Sequence, residues 1–198
     1  MRARDNPFST DRLEQLNYHF QSDSWDDVIS RLKSIGTCSA VVGQEGSGKT
    51  LFLEQLALQL KQRGFDAKLF RIGKSEKLLI SDSALQENCY VLVDDADLLG
   101  HCFMQLLRYR TRQTAGLIIS SHKARRTIPT LISCQTSAEL LYLLVNNLLE
   151  KHNAIRFSEI SNIYKRNCGN IRLALLELYA LCSSSNYDTS SGWPQPLV

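Results

Sequence analysis

At 198 residues the chain has room for one domain, or one core with a small appendage. Its 43% hydrophobic and 22% charged residues can build that core, which excludes two independent catalytic domains and a chain disordered throughout. No apolar run approaches the roughly 20 residues that cross a membrane, and the opening MRARDNPFSTDR lacks the apolar centre of a signal peptide, so the expected location is cytoplasmic and no membrane partner is expected. The formal charge of +3 by itself points to neither nucleic acid nor an acidic membrane. Six cysteines stand singly, with no CxxC pair and no His/Cys cluster at zinc spacing, and read as buried free thiols. The four histidines show no ligand spacing.

Residues 1–23 read as polar and irregular, with Asn6-Pro7-Phe8 breaking any early helix. Ser24 caps a short helix carrying Trp25, Val28, Ile29 and Leu32 at helical spacing, and Gly36 ends it. Cys38 to Val42 predicts a strand, followed by a glycine-rich stretch and an apolar helix from about Lys49 to Arg63, stopped by Gly64. Further strands are expected at Phe65 to Ile72, Cys89 to Val93, Gly116 to Ile119 and Thr130 to Cys134, with a helix from Asp97 to about Arg112. From Thr136 the pattern is helical only. Thr136 with Glu139 forms a capping-box pattern for a helix to about Lys151, Ser158 opens a second helix, and Asn170 opens a third to about Cys182. The division expected is therefore an N-terminal segment and helix over 1–35, an α/β portion over 36–135 and a helical portion over 136–182. The Ser-rich, Pro-interrupted residues 183–198 read as a disordered tail.

The chemistry concentrates at Gly43-Gln44-Glu45-Gly46-Ser47-Gly48-Lys49-Thr50, which satisfies G-x-x-x-x-G-K-[ST] between a predicted strand and a predicted helix. Glycines there let successive backbone N–H groups turn inward around phosphate oxygens, while the helix presents its positive end to the same anion. Lys49 is then placed for the β and γ phosphates, and the Thr50 hydroxyl for Mg²⁺. A second Gly-Lys-Ser at Gly73-Lys74-Ser75 has Lys68 where the first glycine belongs and is discounted. Tyr90 to Val93 runs into two acids: Asp94 is the metal-side carboxylate, and Asp95 is placed to orient or deprotonate a water. Without the loop, the same pair would read as a solvated strand end or a helix cap.

The predicted strand at Leu117-Ile118-Ile119 delivers Ser120 and Ser121 to the same carboxyl edge, where either could face the γ-phosphate or simply cap the turn. Gly169-Asn170-Ile171-Arg172 opens the last helix and could aim Arg172 at the phosphates. Arg108, Arg110 and Arg112 complement the negative end of a helix, or form a phosphate-binding rim with Lys123, Arg125 and Arg126 if the fold joins them.

With these elements in this order, the chain resembles the AAA+ family of P-loop ATPases over about residues 35–182. The resemblance implies an α/β fold, a P-loop NTPase parallel sheet flanked by helices with a small C-terminal helical lid, that binds ATP with Mg²⁺. Gly43–Thr50 is similar to the family's Walker A loop, Asp94 and Asp95 to its Walker B acids, Ser120 or Ser121 to its sensor 1, and Arg172 to its sensor 2. Asp5-Asn6-Pro7-Phe8 resembles the opening segment of small bacterial members related to transposition and secretion ATPases. Two features depart from the pattern. The second Walker B acid is usually Glu, and the shorter Asp95 puts fast hydrolysis in question. The arginine that acts across subunits normally lies on a helix after sensor 1, where only Arg125 and Arg126 stand here.

Two functional expectations follow from the resemblance: an ATPase that couples ATP binding and hydrolysis to a switch on a protein partner, or a nucleotide-binding regulatory module with little turnover. DNA as a partner and a nucleotide-dependent homo-oligomer are both compatible with it. The terminal helices argue against a small-molecule kinase, and the lack of an LSGGQ-like segment argues against an ABC-type ATPase.

Overall fold

A computed structural model describes residues 6–20, 23–73, 85–149 and 155–184. Two compact units emerge: one is formed by the residues up to Asn17 together with those from Thr136 onward, the other by Tyr18–Gln135.

The Tyr18–Gln135 unit is built on five parallel strands: β1 (Cys38–Val42), β2 (Asp66–Arg71), β3 (Cys89–Asp94), β4 (Gly116–Ser121) and β5 (Thr130–Ser133), in spatial order β2-β3-β4-β1-β5. Every residue of β3 and β4 is buried, as their near-continuous apolar runs require of strands covered on both faces. Successive side chains of a strand point to opposite faces. Val41, Leu92 and Ile118 accordingly join one core with α2 (Trp25–Ile35) and α3 (Lys49–Gln62), while Ala40, Val91, Val93, Leu117 and Ile119 join the other with α4 (His101–Arg110). On α3, Phe52, Leu53, Leu56 and Leu60 recur on one helical face and are fully buried.

The second unit packs α5 (Ala138–Leu148), α6 (Phe157–Arg166) and α7 (Ile171–Ser184) around Leu141, Val145, Ile160, Ala174 and Leu178. Phe8, 2% exposed, belongs to the same core. The Asn6 amide donates to the Tyr179 carbonyl and to Ser183 Oγ, both at 3.0 Å, and its oxygen accepts from the Phe8 N–H.

Several expectations need correction. Residues 1–35 are not one segment: residues 6–17 join the helical unit, with α1 (Thr10–Leu13) a single helical turn, and Tyr18 onward joins the sheet unit. The helix expected from Asp97 is a 3₁₀ turn at Ala96–Leu98 followed, after Gly100, by α4. Helix α5 is capped by Ser137, whose hydroxyl accepts from the Leu140 N–H. Thr136 is occupied elsewhere, its hydroxyl meeting Tyr164 Oη and donating to the Gly169 carbonyl. Ser158 lies inside α6, after Arg156 at the cap position. Residues 183 and 184 of the expected tail are helical, and 185–198 lie outside the described residues, as do Asp5 and Lys74-Ser75. Cys89, Cys134 and Cys182 are buried, but Cys102 and Cys168 are exposed; all six are unpaired. Among the described residues no helix is long and apolar enough to cross a membrane.

Candidate functional site

Strand β4 lies between β1 and β3, so its last residues separate the loop that follows β1 from the acids that end β3. In register, Val41 faces Ser120 and Val42 faces Ser121, while Val93 faces Ile119. Ligands of open α/β sheets bind at this carboxyl edge, where the strand order reverses.

The loop itself is tightly determined. A Cβ on Gly43 would lie 2.5 Å from Ser47 Oγ and 2.7 Å from the Cys134 carbonyl, so only glycine fits. Gly48, at φ +88°, starts α3 from the left-handed region and packs against the Tyr18 ring. Lys49 is 8% exposed, and its ammonium donates to the carbonyls of Gly43 at 2.8 Å and Gln44 at 3.0 Å. No carboxylate pairs with it among the described residues. Ser47 Oγ is buried and has no hydrogen-bond partner among them. Glu45 and Gly46 complete the loop, Gly46 also with positive φ.

Asp94 is 2% exposed and accepts from three donors. Thr50 Oγ1 donates to its Oδ2 and Ser120 Oγ to its Oδ1, both at 2.6 Å, and the Asp95 N–H lies 3.1 Å from Oδ1. Asp95 leaves the strand in the left-handed region at φ +56°, its side chain exposed and its N–H held by Ser120 Oγ at 2.8 Å. The two serines thus take different partners: Ser120 reaches Asp94, whereas Ser121 donates to Asp97 Oδ1 at 2.8 Å.

Asp97 is the residue that sequence reading missed. Besides Ser121, it accepts from the His122 N–H at 2.5 Å and from Arg125 at 2.8 Å, and the His122 ring lies 2.8 Å away. Partial burial pushes its carboxyl up, but the His122 N–H, Arg125, Ser121 and the His122 ring outweigh that and hold it well below the ordinary carboxylate range. This carboxylate ties the turn after β4 to the turn after β3. It also commits Arg125 within its own chain; Arg126 is exposed. The interval after β4 is a turn with a Arg125–Ile128 bridge rather than a helix. The alternative rim of arginines does not assemble, because Arg108–Arg112 precede β4 and Lys123–Arg126 follow it, at opposite ends of the strand.

A second feature beyond the motifs is the cluster of Tyr18, Phe20, Trp25 and Phe52, with edge contacts of 5.1 Å and 5.0 Å from Tyr18 to Phe20 and Phe52. Burial, then the neighbouring Cys134, pushes the Tyr18 hydroxyl up, and it donates to Cys134 Sγ at 3.4 Å.

Arg172 belongs to the helical unit. It lies exposed in the first turn of α7, with Asn170 Oδ1 capping the Leu173 N–H. A cation there opposes the helix dipole, so the charge is not serving its own helix.

The parallel sheet, the loop between β1 and α3 and the acid at the end of β3 define the P-loop NTPase fold. No protein-family model matches the chain, and no curated protein sequence matches it. Among solved structures it is similar to AMPPCP-bound DnaA from Aquifex aeolicus, with a TM-score of 0.55 and 15% identity over 83% of this chain and 62% of that one. It is also similar to NtrX from Brucella abortus, with a TM-score of 0.56 and 10% identity over 96% of this chain and 57% of that one. The chain therefore spans less than two thirds of either neighbour, and at these identities the likeness is one of fold, the AAA+ type of P-loop fold.

Proposed function

We propose that this chain binds ATP with Mg²⁺ at the Gly43–Thr50 loop and uses the nucleotide to change its contacts with a protein partner. The observation that carries the reading is Lys49: a buried ammonium at the positive end of a 14-residue helix donates to two carbonyls and has no anionic partner among the described residues. Phosphate oxygens would supply it, and the unpartnered Ser47 hydroxyl adds a donor in the same loop. Thr50 and Asp94 offer the hard oxygens that Mg²⁺ prefers, and the few protein ligands suit an ion that takes its remaining ligands from water and phosphate. Bound there, Mg²⁺ would neutralise charge developing on the phosphates. Ser120 holds Asp94 in place, Asp95 orients the attacking water, and Arg172 senses the γ-phosphate. The AMPPCP carried by the DnaA neighbour supports the nucleotide, and the Asp5–Phe8 resemblance supports a small bacterial AAA+ relative.

A second reading, a nucleotide-binding regulatory module with little turnover, is favoured by the exposed, left-handed Asp95 and by Arg125 being tied to Asp97. Steady-state ATP turnover measured across protein concentration, with and without DNA, separates the two. A rate per subunit that rises with concentration indicates an arginine supplied by another copy, and stimulation by DNA identifies that partner. ATP bound without turnover under every condition selects the module. No ATP binding at all overturns both.

A further inference from the structure

The Tyr18–Gln135 unit carries a polar concavity at the opposite edge of the sheet from the Gly43–Thr50 loop. It is a cleft of about 300 Å³ where the start of β1 meets the end of α4, lined by Thr37, Cys38, Gln105, Arg108, Tyr109 and Arg112. Its chemistry is one-sided. Two arginines, an amide-bearing Gln105 and the hydroxyl-bearing Thr37, Tyr109 and Thr111 line it, and no carboxylate lines it among the described residues.

The arginines differ from others of this chain. Arg31, Arg63, Arg71, Arg125 and Arg166 each face a carboxylate, whereas Arg108 and Arg112 have none among the described residues. The end of α4 accounts for a cation at Arg108 or Arg110. Arg112 follows the cap residue, with its guanidinium 4.5 Å from the centre of the Tyr109 ring. That stacking holds the fork in place at the cleft and lowers the cost of ordering it around a ligand. Arg108 is half-buried and lines the cleft beside Cys38.

We infer that this cleft is an anion site for the phosphoryl group of a small molecule, with Arg108 and Arg112 as its two forks. Planar guanidiniums match the oxygens of a phosphoryl group in pairs. Two cations in a bounded hollow suit a single phosphoryl group; a nucleic-acid backbone is bound through a longer series of cations. Arg110 does not extend the track, since residues two apart on a helix face different ways.

The test uses the full chain carrying Lys49→Ala, which silences the phosphate loop. Phenyl phosphate, inorganic pyrophosphate and an oligothymidylate are titrated by calorimetry, while alkylation of Cys38 by iodoacetamide is followed by peptide mass spectrometry with exposed Cys102 and Cys168 as internal references. The expected result is saturable binding of phenyl phosphate or pyrophosphate that slows Cys38 alkylation about fivefold or more relative to Cys102. Arg108→Gln/Arg112→Gln should weaken that binding about tenfold or more, and Arg112→Gln alone should weaken it by a smaller factor. Binding of phenyl phosphate alone assigns the site to organic phosphates, and binding of pyrophosphate as well assigns it to the phosphoryl group itself. Absence of binding, affinity unchanged in the double variant, or binding of the oligothymidylate alone overturns the proposal. Because the loop is silenced throughout, none of these results bears on the ATP reading.

Discussion

The two units treat their polar groups in opposite ways. In the sheet unit, the polar side chains at the carboxyl edge hold one another: Thr50 and Ser120 both donate to Asp94, and Ser121, His122 and Arg125 all converge on Asp97. In the helical unit, the internal polar contacts close the unit on itself, through Asn6 with Tyr179 and Ser183 and through Thr136 with Tyr164 and Gly169. The cation proposed to act on nucleotide, Arg172, stands in solvent at the start of α7. A group locked in a network costs position when it is removed; a group held by nothing costs only its own charge. The sheet unit should therefore lose binding or chemistry outright when its network is cut, and the helical unit should lose discrimination.

The hardest test of that contrast is Lys49→Ala. It should weaken ATP–Mg²⁺ binding by about 100-fold or more, because two or more charge-assisted contacts of about 1.5–3 kcal/mol each are lost, while circular dichroism stays unchanged. Calorimetry checks it, and unchanged affinity would remove the nucleotide site from the sheet unit. Next come the two acids. Asp95→Asn should slow turnover about 100-fold with affinity within about threefold, whereas Asp94→Asn should weaken Mg²⁺-dependent binding by about tenfold or more. Equal losses of affinity from both would mean that the strand-end acid and the turn acid do not divide the work.

Asp97→Asn sharpens the comparison through stability. Removing a charge that holds two turns together should cost about 1–3 kcal/mol at pH 7, read by urea unfolding. The parent carboxyl is held below its ordinary value of 3.8, so its contribution is complete above that pH and is lost as the pH falls below it. The difference between parent and variant should accordingly shrink on acidification below about pH 3.8; a gap that persists there would show that the charge is not what matters. The smallest effect is expected of Arg172→Ala. ATP and ADP should be told apart about fivefold less well, about 1 kcal/mol, with no change in melting temperature. A variant whose discrimination is untouched, or whose fold is lost, would place Arg172 among the structural residues of its unit.

Legibility in the sequence followed the range of the contacts involved. The inner strands were readable because burial on both faces leaves an unbroken apolar run, as in Tyr90–Val93 and Leu117–Ile119. The turn of the Gly43–Thr50 loop was readable because its glycine spacing answers a local demand: the space at Gly43 and the positive φ at Gly48. Which of Ser120 and Ser121 meets Asp94 was not, because that depends on what stands 26 residues away on β3. Asp97 carried an ordinary helix-start signal, and its four donors come from residues 24 to 28 positions further on. At Thr136 and Ser137 two capping residues are adjacent, and only the distant Tyr164 and Gly169 decide which of them is free to cap.

The path of the chain also carries a consequence for the order of synthesis. Asn6 and Phe8 leave the ribosome before the three helices they pack with, and the Tyr179 carbonyl that receives the Asn6 amide is translated 173 residues later. At about 5–20 residues per second Asn6 waits about 9 to 35 s for its partner, with the nearby Phe8 uncovered throughout. The sheet unit, continuous from Tyr18 to Gln135, emerges entirely within that wait. It can fold before the helical unit has its last helix, so a substitution at Asn6 or Phe8 would disturb the unit that closes last.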